Sequence, residues 1–578
     1  MAMSKVKKSA ENVVLWRVML MIAVMVLVFC TLLARAAYLQ IIQPDELREQ
    51  GELRSLRSES HQVQRGMITD RNNFELAVSV PAFAVWVDPK VVHDTKSWEQ
   101  TEKWQALFAV LDLDFKQEIA KIKKSPKKRF FYLKRQSSSA VADYVRQLNL
   151  PGVYLREESK RFYPSGEIAA HLVGFTNIDG QGIEGAEKLF NQVLTGTPGE
   201  RTYQKDAKGR QVELLSVKSA VPPKNIQLSI DQRLQSITYR ALKAAVKSYA
   251  ASSGSAVVVD VHTGEILAMA NTPSFNPNNR ANVNQHRFRN RAITDVFEPG
   301  STMKPVAVLS ALEFGTVKQD SIVDTTPFKI GGKRFADPRF LGDISLETII
   351  QRSSNVGVAK LALGLPKDYF VVAFHELGLG EVTGSGLLGE SSGMFSLSRR
   401  WSDLEIGTLS YGYGVAVTTL QLAKMYATLG AKGVSRPLSI LKLPEPPEGK
   451  RVFSEKNTDF VVHLMESVVK RGGTAPQASV PGYRVAGKSG TAYKAIKGGY
   501  GDELSGFFAG VAPVNDPQIA IAVMINEPQS DVFHGGEVAG PVFAKIMGST
   551  LQLYNIAPDE NQIETLSRKD LKEDKHGL

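Results

Sequence analysis

Cysteine is all but absent from this chain of 578 residues: the single Cys30 lies inside an apolar run, so the folded part forms no internal disulfide. That fits the cytosol or an exported domain that does without bridges. Histidine is scarce as well, 9 residues in all, and His262, His375 and His534 lack ligand spacing to one another or to acids. No metal is therefore expected. Zinc-finger spacing and aromatic–basic RNA motifs are missing, which sets nucleic acid aside despite a formal charge of +11. The charge suits an anionic membrane or wall polymer instead. With 43% hydrophobic and 22% charged residues the composition is globular, and the length is too great for one ordinary domain.

Long apolar runs are equally rare, and the one near the N-terminus carries topology. Val18 to Ala34 has no charge and is flanked by Arg17 and Arg35. At 1.5 Å per residue it spans about 25 Å, slightly short of a bilayer core. Ala36 to Leu39 complete a crossing over 18–39 if both arginines snorkel. Lys5, Lys7, Lys8 and Arg17 outweigh Glu11 ahead of it, which places residues 1–17 in the cytoplasm and everything after Leu39 outside it. Ala34-Arg35-Ala36 also resembles a signal-peptide cleavage site, but the run is longer than a usual signal core, and a retained anchor is expected.

The strongest chemical signal is Ser301-Thr302-Met303-Lys304. Glu298-Pro299-Gly300 breaks the chain before it, and Val306, Leu309 and Leu312 then recur at helical spacing as far as Gly315. This predicts a helix with Ser301 at its N-terminus and the Lys304 amine on the same face. A serine hydroxyl needs a base to become a nucleophile, and a buried lysine can be that base. An isolated Ser-x-x-Lys arises by chance in any chain of this length. Two further motifs remove the ambiguity. Ser353-Ser354-Asn355 precedes an apolar helix and offers a hydroxyl and an amide to a cleft. Lys488-Ser489-Gly490-Thr491 reads as a short strand with a cation, two hydroxyls and a glycine that admits a substrate backbone.

In that order the three motifs match the set of the penicillin-binding proteins and serine β-lactamases. Arg289-Asn290-Arg291-Ala292, Tyr411-Gly412-Tyr413-Gly414 and Gly535 to Phe543 resemble penicillin-binding transpeptidase sequence. Upstream, Arg65 to Arg71, Arg161-Phe162-Tyr163-Pro164 and Gly182 to Glu187 resemble the non-catalytic domain of class B penicillin-binding proteins, in particular the septal enzymes of Gram-negative bacteria. The resemblance runs from about residue 15 to about residue 555.

It implies an α+β chain. A transpeptidase domain over 223–555 has an antiparallel sheet covered by helices plus an all-helical subdomain, a non-catalytic pedestal and docking domain covers 40–222, and one transmembrane helix anchors both. Residues 556–578 form a polar tail, expected to be disordered. It further implies Ser301 as nucleophile, Lys304 as general base, Ser353 as proton relay and Asn355 as orienting group, with Lys488 supplying electrostatics and holding a carboxylate beside Ser489, Gly490 and Thr491. The backbone N–H groups of Ser301 and Thr491 would form the oxyanion hole. Repulsion from Lys488 is expected to favour neutral Lys304. No cofactor is implied. The partners would be peptidoglycan stem peptides, β-lactams, the membrane and divisome proteins, including the multi-span glycan polymerase FtsW.

The shared motifs leave an elongation enzyme of the same class open. A β-lactam sensor or scaffold that never turns over is the non-enzymatic alternative. Glu298 and Tyr411 to Gly414 read as turn and cleft-floor residues rather than reacting groups, and Asp179, Glu184 and Glu187 as structural or surface acids. Strands are expected over 83–88, 226–230, 506–511 and 519–525, with a hairpin through Val257 to Met269. Amphipathic helices are expected over 104–113 and 140–148.

Overall fold

The computed structural model describes residues 3–43, 56–61, 64–197, 199–205, 211–219, 221–397, 400–496 and 498–560. Residues 44–55, where the pedestal range begins, and the tail beyond 560 lie outside these ranges.

Helix α1 (Met3–Ala37) continues into a π-helical turn, Tyr38–Ile42. Within it Leu15–Ile42 is long and apolar enough to cross a membrane, and Val18 to Leu33 stand exposed, as a lipid-facing stretch would. The compact unit that includes this helix also holds a three-stranded antiparallel sheet. Gly199–Lys205 forms its middle strand between Leu56–His61 and Gln211–Lys218.

The second unit comprises residues 64–195 and 224–578. Its first sheet is organised by one long strand. β1 (Ile68–Thr69) and β2 (Glu75–Val87) are antiparallel, α2 (Thr101–Leu111) follows, and β3 (Phe131–Ser137), α3 (Ser139–Leu148) and β4 (Val153–Phe162) complete the layer. β2 pairs with β3 on one side and with β4 on the other. The pleat turns Val85 and Val87 inward against Trp104, Leu107, Phe108 and Leu111 of α2. Beneath this sheet, three of the segments that resemble the class B non-catalytic domain meet at one buried ion cluster. Glu187, fully buried, accepts hydrogen bonds from Arg65 Nε (2.7 Å) and Arg161 Nε (2.6 Å). The acid is structural, as its sequence position suggested.

β5 (Ile226–Gln227) runs parallel to β1 and leads into α4 (Gln232–Ser248), capped by the Asp231 side chain. The strand expected over 226–230 is thus two residues long. Beyond it Leu228 makes an isolated bridge to Leu441, while the Ser229 N–H donates to Ile440 and the Asp231 N–H to Leu267, so no ladder continues. A five-stranded antiparallel sheet follows, built from β6 (Ser253–Asp260), β7 (Ile266–Thr272) and three strands from the far end of the chain. These are β8 (Ala486–Ile496), β9 (Gly499–Ala512) and β10 (Ile519–Asn526), in the order β7-β6-β10-β9-β8. The central strands are buried on both faces, which explains their continuous apolar runs. Gly254 faces α4, while Ser255 on the opposite face bonds Thr419 at the start of a helix over Thr419–Gly430 (2.6 Å). Helices Lys304–Phe314, Leu346–Arg352 and Asn355–Leu363 pack into a helical layer beside this sheet. β8 is an edge strand, which leaves one of its sides free for a ligand.

Candidate active site

The nucleophile candidate stands on a turn clamped between two backbones. Gly300–Met303 forms a 3₁₀ turn, and the α-helix begins at Lys304 rather than at Ser301, with Pro305 in its first turn. Gly300 has a φ of +56°, open to glycine and strained for other residues. A Cβ on Gly412 would come within 2.1 Å of the Gly300 carbonyl oxygen, and one on Gly490 within 2.8 Å of the Pro299 oxygen. The glycines of the Tyr411–Gly414 loop and of β8 therefore let both segments press on the turn. Tyr426, buried, donates to the Thr302 carbonyl (2.9 Å) and holds it from below. Glu298 Oε1 accepts from the Gly414 N–H (2.8 Å), in keeping with the turn role expected of it.

Ser353 and Asn355 come from the junction of two helices. Leu346–Arg352 ends at Ser353, which adopts a left-handed φ of +59°, and Ser354 caps the helix starting at Asn355. For a non-glycine residue this conformation costs about 1–2 kcal/mol. It directs both the Ser353 carbonyl and its hydroxyl at Lys304. Lys304 Nζ donates to that carbonyl, to Ser353 Oγ at 2.9 Å and to Asn355 Oδ1 at 2.7 Å. Among the described residues the amine bonds these three oxygens, and none of its hydrogen bonds goes to Ser301. The direct Ser301–Lys304 contact anticipated from helical spacing is thus replaced by a network through the second motif. The reason is that the serine sits on the tighter 3₁₀ turn while the buried amine turns to the oxygens of Ser353 and Asn355.

On the facing strand, Lys488 is fully buried and donates to the Ser489 carbonyl at 3.2 Å. Ser489 Oγ bonds Thr474 Oγ1 (2.7 Å), and Thr491 Oγ1 accepts from the Gly535 N–H (2.9 Å), which leaves the threonine proton free to donate into the cleft. A cleft of about 560 Å³ opens over Ser301, Asn355 and Thr491, walled by Glu298, Tyr411 and Tyr413. A slightly larger groove, about 590 Å³, lies between α4 and the C-terminal helix Gly540–Leu553 and contains none of the motif residues.

Burial dominates the electrostatics. It lowers the Lys304 amine well below the usual lysine range, with repulsion from Lys488 second and attraction to Asp337 opposing both. The expected repulsion is present, but desolvation is the larger cause. Burial alone brings Lys488 down to about 7. Tyr411 is pushed up to about 12, mainly by burial, and stays neutral in the cleft wall.

The comparisons with known proteins agree with this arrangement. Residues 254–548 match the penicillin binding protein transpeptidase domain and residues 60–228 the penicillin-binding protein dimerisation domain. The chain is 49% identical over 558 residues to the peptidoglycan D,D-transpeptidase FtsI of Escherichia coli K12, covering 96% of this chain and 95% of that protein. It belongs to the class B penicillin-binding proteins. Among solved structures, a peptidoglycan synthetase from Bifidobacterium adolescentis superposes on this class B protein with a TM-score of 0.70 at 27% identity, over 87% of this chain and 98% of that one. The transpeptidase domain of penicillin-binding protein 3 from Burkholderia pseudomallei gives 0.53 at 40% identity, over 58% and 98% respectively.

Two supporting residues of this class B protein escape a reading of the sequence. Asp337 lies in a loop without motif or periodicity, yet its carboxylate accepts from Ser354 Oγ (2.5 Å), the Asn355 N–H (2.5 Å) and the Val356 N–H (3.2 Å). It thereby caps the helix that carries Asn355. Thr474, which orients Ser489, follows a Gly472-Gly473 turn that signals only a loop.

Proposed function

We propose that this chain is a membrane-anchored peptidoglycan D,D-transpeptidase that cross-links stem peptides at the division septum. The observation that carries the reading is the buried Lys304 amine, bonded to Ser353 and Asn355 and repelled by Lys488, so that all three motifs act on one proton.

Ser301 Oγ attacks the carbonyl carbon between the two terminal D-alanines. Neutral Lys304 takes the hydroxyl proton, and Ser353 relays a proton to the departing amine as the C–N bond breaks and one D-alanine leaves. General acid–base help of this kind is worth about 10²–10⁴ in rate. The backbone N–H groups of Ser301 and Thr491 stabilise the tetrahedral oxygen. Asn355 orients Lys304 and the substrate backbone. Cationic Lys488 holds the terminal carboxylate with Ser489 and Thr491, while Gly490 lets the peptide lie close along β8. An amine of a second stem peptide then attacks the acyl-enzyme, its proton returns to Ser301 Oγ, and the cross-link is made. β-Lactams acylate Ser301 by the same first step.

Leu15–Ile42 anchors the chain in the inner membrane with its N-terminus cytoplasmic and residues beyond 39 periplasmic. Residues 40–222 serve as pedestal and 223–555 as catalytic domain. The divisome glycan polymerase FtsW is the partner that the class B assignment suggests. The elongation and sensor alternatives have no observation in their favour.

The test is to treat the full chain in detergent with a fluorescent penicillin and locate the label by peptide mass spectrometry. Label on Ser301 that disappears in Ser301→Ala is expected. A folded protein that takes no label overturns the reading. Depletion in cells is expected to give filaments, and round cells would move the enzyme to elongation.

A further inference from the structure

The charged groups around the cleft are unevenly spent. Lys304 and Lys488 are buried, and the Asp337 carboxylate is taken by Ser354, Asn355 and Val356. Among the described residues Glu298 is the one acid in the cleft wall. Its Oε1 accepts from the Gly414 N–H and its Oε2 is buried, so it presents no free charge to a ligand. Lys333 is the other charged group in the wall. It is exposed and makes no ion pair among the described residues. A two-stranded hairpin fixes its backbone, with Phe328–Ile330 paired to Lys333–Phe335. Residues 333 and 335 share one face of their strand. Phe335 on that face is buried, stacked on Phe328 at 4.9 Å and set against Tyr411 and the helix Asp403–Leu409. Lys333 thus extends from an anchored strand into the cleft that Thr491 and Tyr493 of β8 also line. Thr491, Tyr493 and Tyr500 are in that lining, whereas Ser489 and its partner Thr474 are not. With the terminal carboxylate of the donor at Lys488, Ser489 and Thr491, the cleft takes the stem residues that precede the scissile bond.

We propose that Lys333 is a specificity-determining residue for the donor stem peptide, its ammonium holding a carboxylate carried by a residue before the scissile bond. Lys488 reads the end of the donor, and Lys333 reads its body. A charge-assisted hydrogen bond of this kind forms between an ammonium and a carboxylate, and a cleft filled by peptide screens it less than open water does. The tyrosines beside it, Tyr411, Tyr413 and Tyr500, are kept neutral chiefly by burial and offer the lysine no counter-ion. The inference rests on the transpeptidase reading and deepens it, by naming the charge on the donor that the cleft selects.

The test uses the full chain in detergent and two synthetic stem-peptide thioesters, in which sulfur replaces the last amide nitrogen so that acylation of Ser301 releases a thiolate. The carboxylates before the scissile bond are free in one thioester and amidated in the other. With no acceptor amine present, water frees the enzyme and the donor alone is read. In the wild type, amidation is expected to raise KM about fivefold, an effect that added salt reduces. In Lys333→Ala the two thioesters should share one KM, and Lys333→Arg should restore most of the difference. Fluorescent penicillin labelling of Ser301, run in parallel, reads folding and the catalytic assignment separately. Protein that takes no label fails the transpeptidase reading itself. Label on Ser301 together with the same amidation effect in wild type and Lys333→Ala overturns the Lys333 assignment alone, because the lysine then shapes the cleft without binding a carboxylate. A labelled wild type that does not distinguish the two thioesters overturns it too. So does an amidation effect that appears only with an added acceptor stem, which would give the lysine to the second peptide.

Discussion

At the scale of single residues, the proposed mechanism asks two buried lysines to divide the work by protonation. Burial first and Lys488 second lower the Lys304 amine well below the usual lysine range, which favours the neutral form that the proposed base needs, whereas Lys488 has to be cationic to hold a carboxylate. Acylation is therefore expected to rise as Lys304 deprotonates and to fall as pH passes about 7 and Lys488 in the free enzyme loses its charge. Asp337 supplies a way to move one limb alone. Its charge raises the Lys304 value, so Asp337→Asn, which keeps one carbonyl oxygen for the Asn355 and Val356 N–H groups, removes that support and lets Lys304 deprotonate at lower pH. The acid limb of the profile for Ser301 acylation should move to lower pH while the limb near 7 stays. Burial alone accounts for the Lys488 value, so Asp337 has no hold on it. An acid limb that does not move, measured by stopped-flow with a chromogenic β-lactam, would remove Asp337 from the electrostatics of the site.

At the scale of elements, the site depends on close backbone approach between a turn and an edge strand. A Cβ at Gly490 would meet the Pro299 oxygen at 2.8 Å and Thr302 Cγ2 at 2.9 Å, so Gly490→Ala must push β8 away from the turn. Overpacking of this kind costs about 1–3 kcal/mol, and here it also separates the backbone groups assigned to the oxyanion hole. A fall of about 100-fold in penicillin acylation is expected, since losing one such donor costs about 10²–10³ in rate. Gly364→Ala is the control. Its Cβ would approach nothing closer than 3.4 Å and its φ is negative, so both stability and labelling should change little. Equal effects from the two substitutions would show that the close approach at β8 is unimportant.

At the scale of the whole molecule, the ion cluster around Glu187 binds segments far apart in the chain. Arg65 donates to the Glu187 carboxylate and backbone oxygen, to Asn191 and to Thr195. Arg161 donates to Glu187 and Ser79. Glu187→Ala would leave two buried guanidinium groups without their shared counter-ion. A loss of about 3–5 kcal/mol is expected, read as a lower midpoint of denaturant unfolding. Glu184→Ala, three residues away and exposed, should shift the midpoint little. Similar losses at both positions would mean that the cluster contributes no more than the surface does.

Sequence by itself determined the parts of this protein whose chemistry is local. Ser301, Lys304, Ser353, Asn355 and Lys488 were legible because each motif couples reactive groups over a few residues. The apolar run of α1 and the buried strands β6, β9 and β10 were legible because hydrophobic periodicity is written along the chain. What lay outside it is non-local. Whether Lys304 bonds Ser301 or Ser353 was decided by a left-handed serine and by a 3₁₀ turn on which Gly412 and Gly490 press from segments more than 100 residues away. Asp337 acquired its role when the fold carried a loop to a helix N-terminus. Burial, the main reason the two lysines leave their usual range, is a property of the folded core, because a desolvation cost arises only once the rest of the chain has closed over the amine.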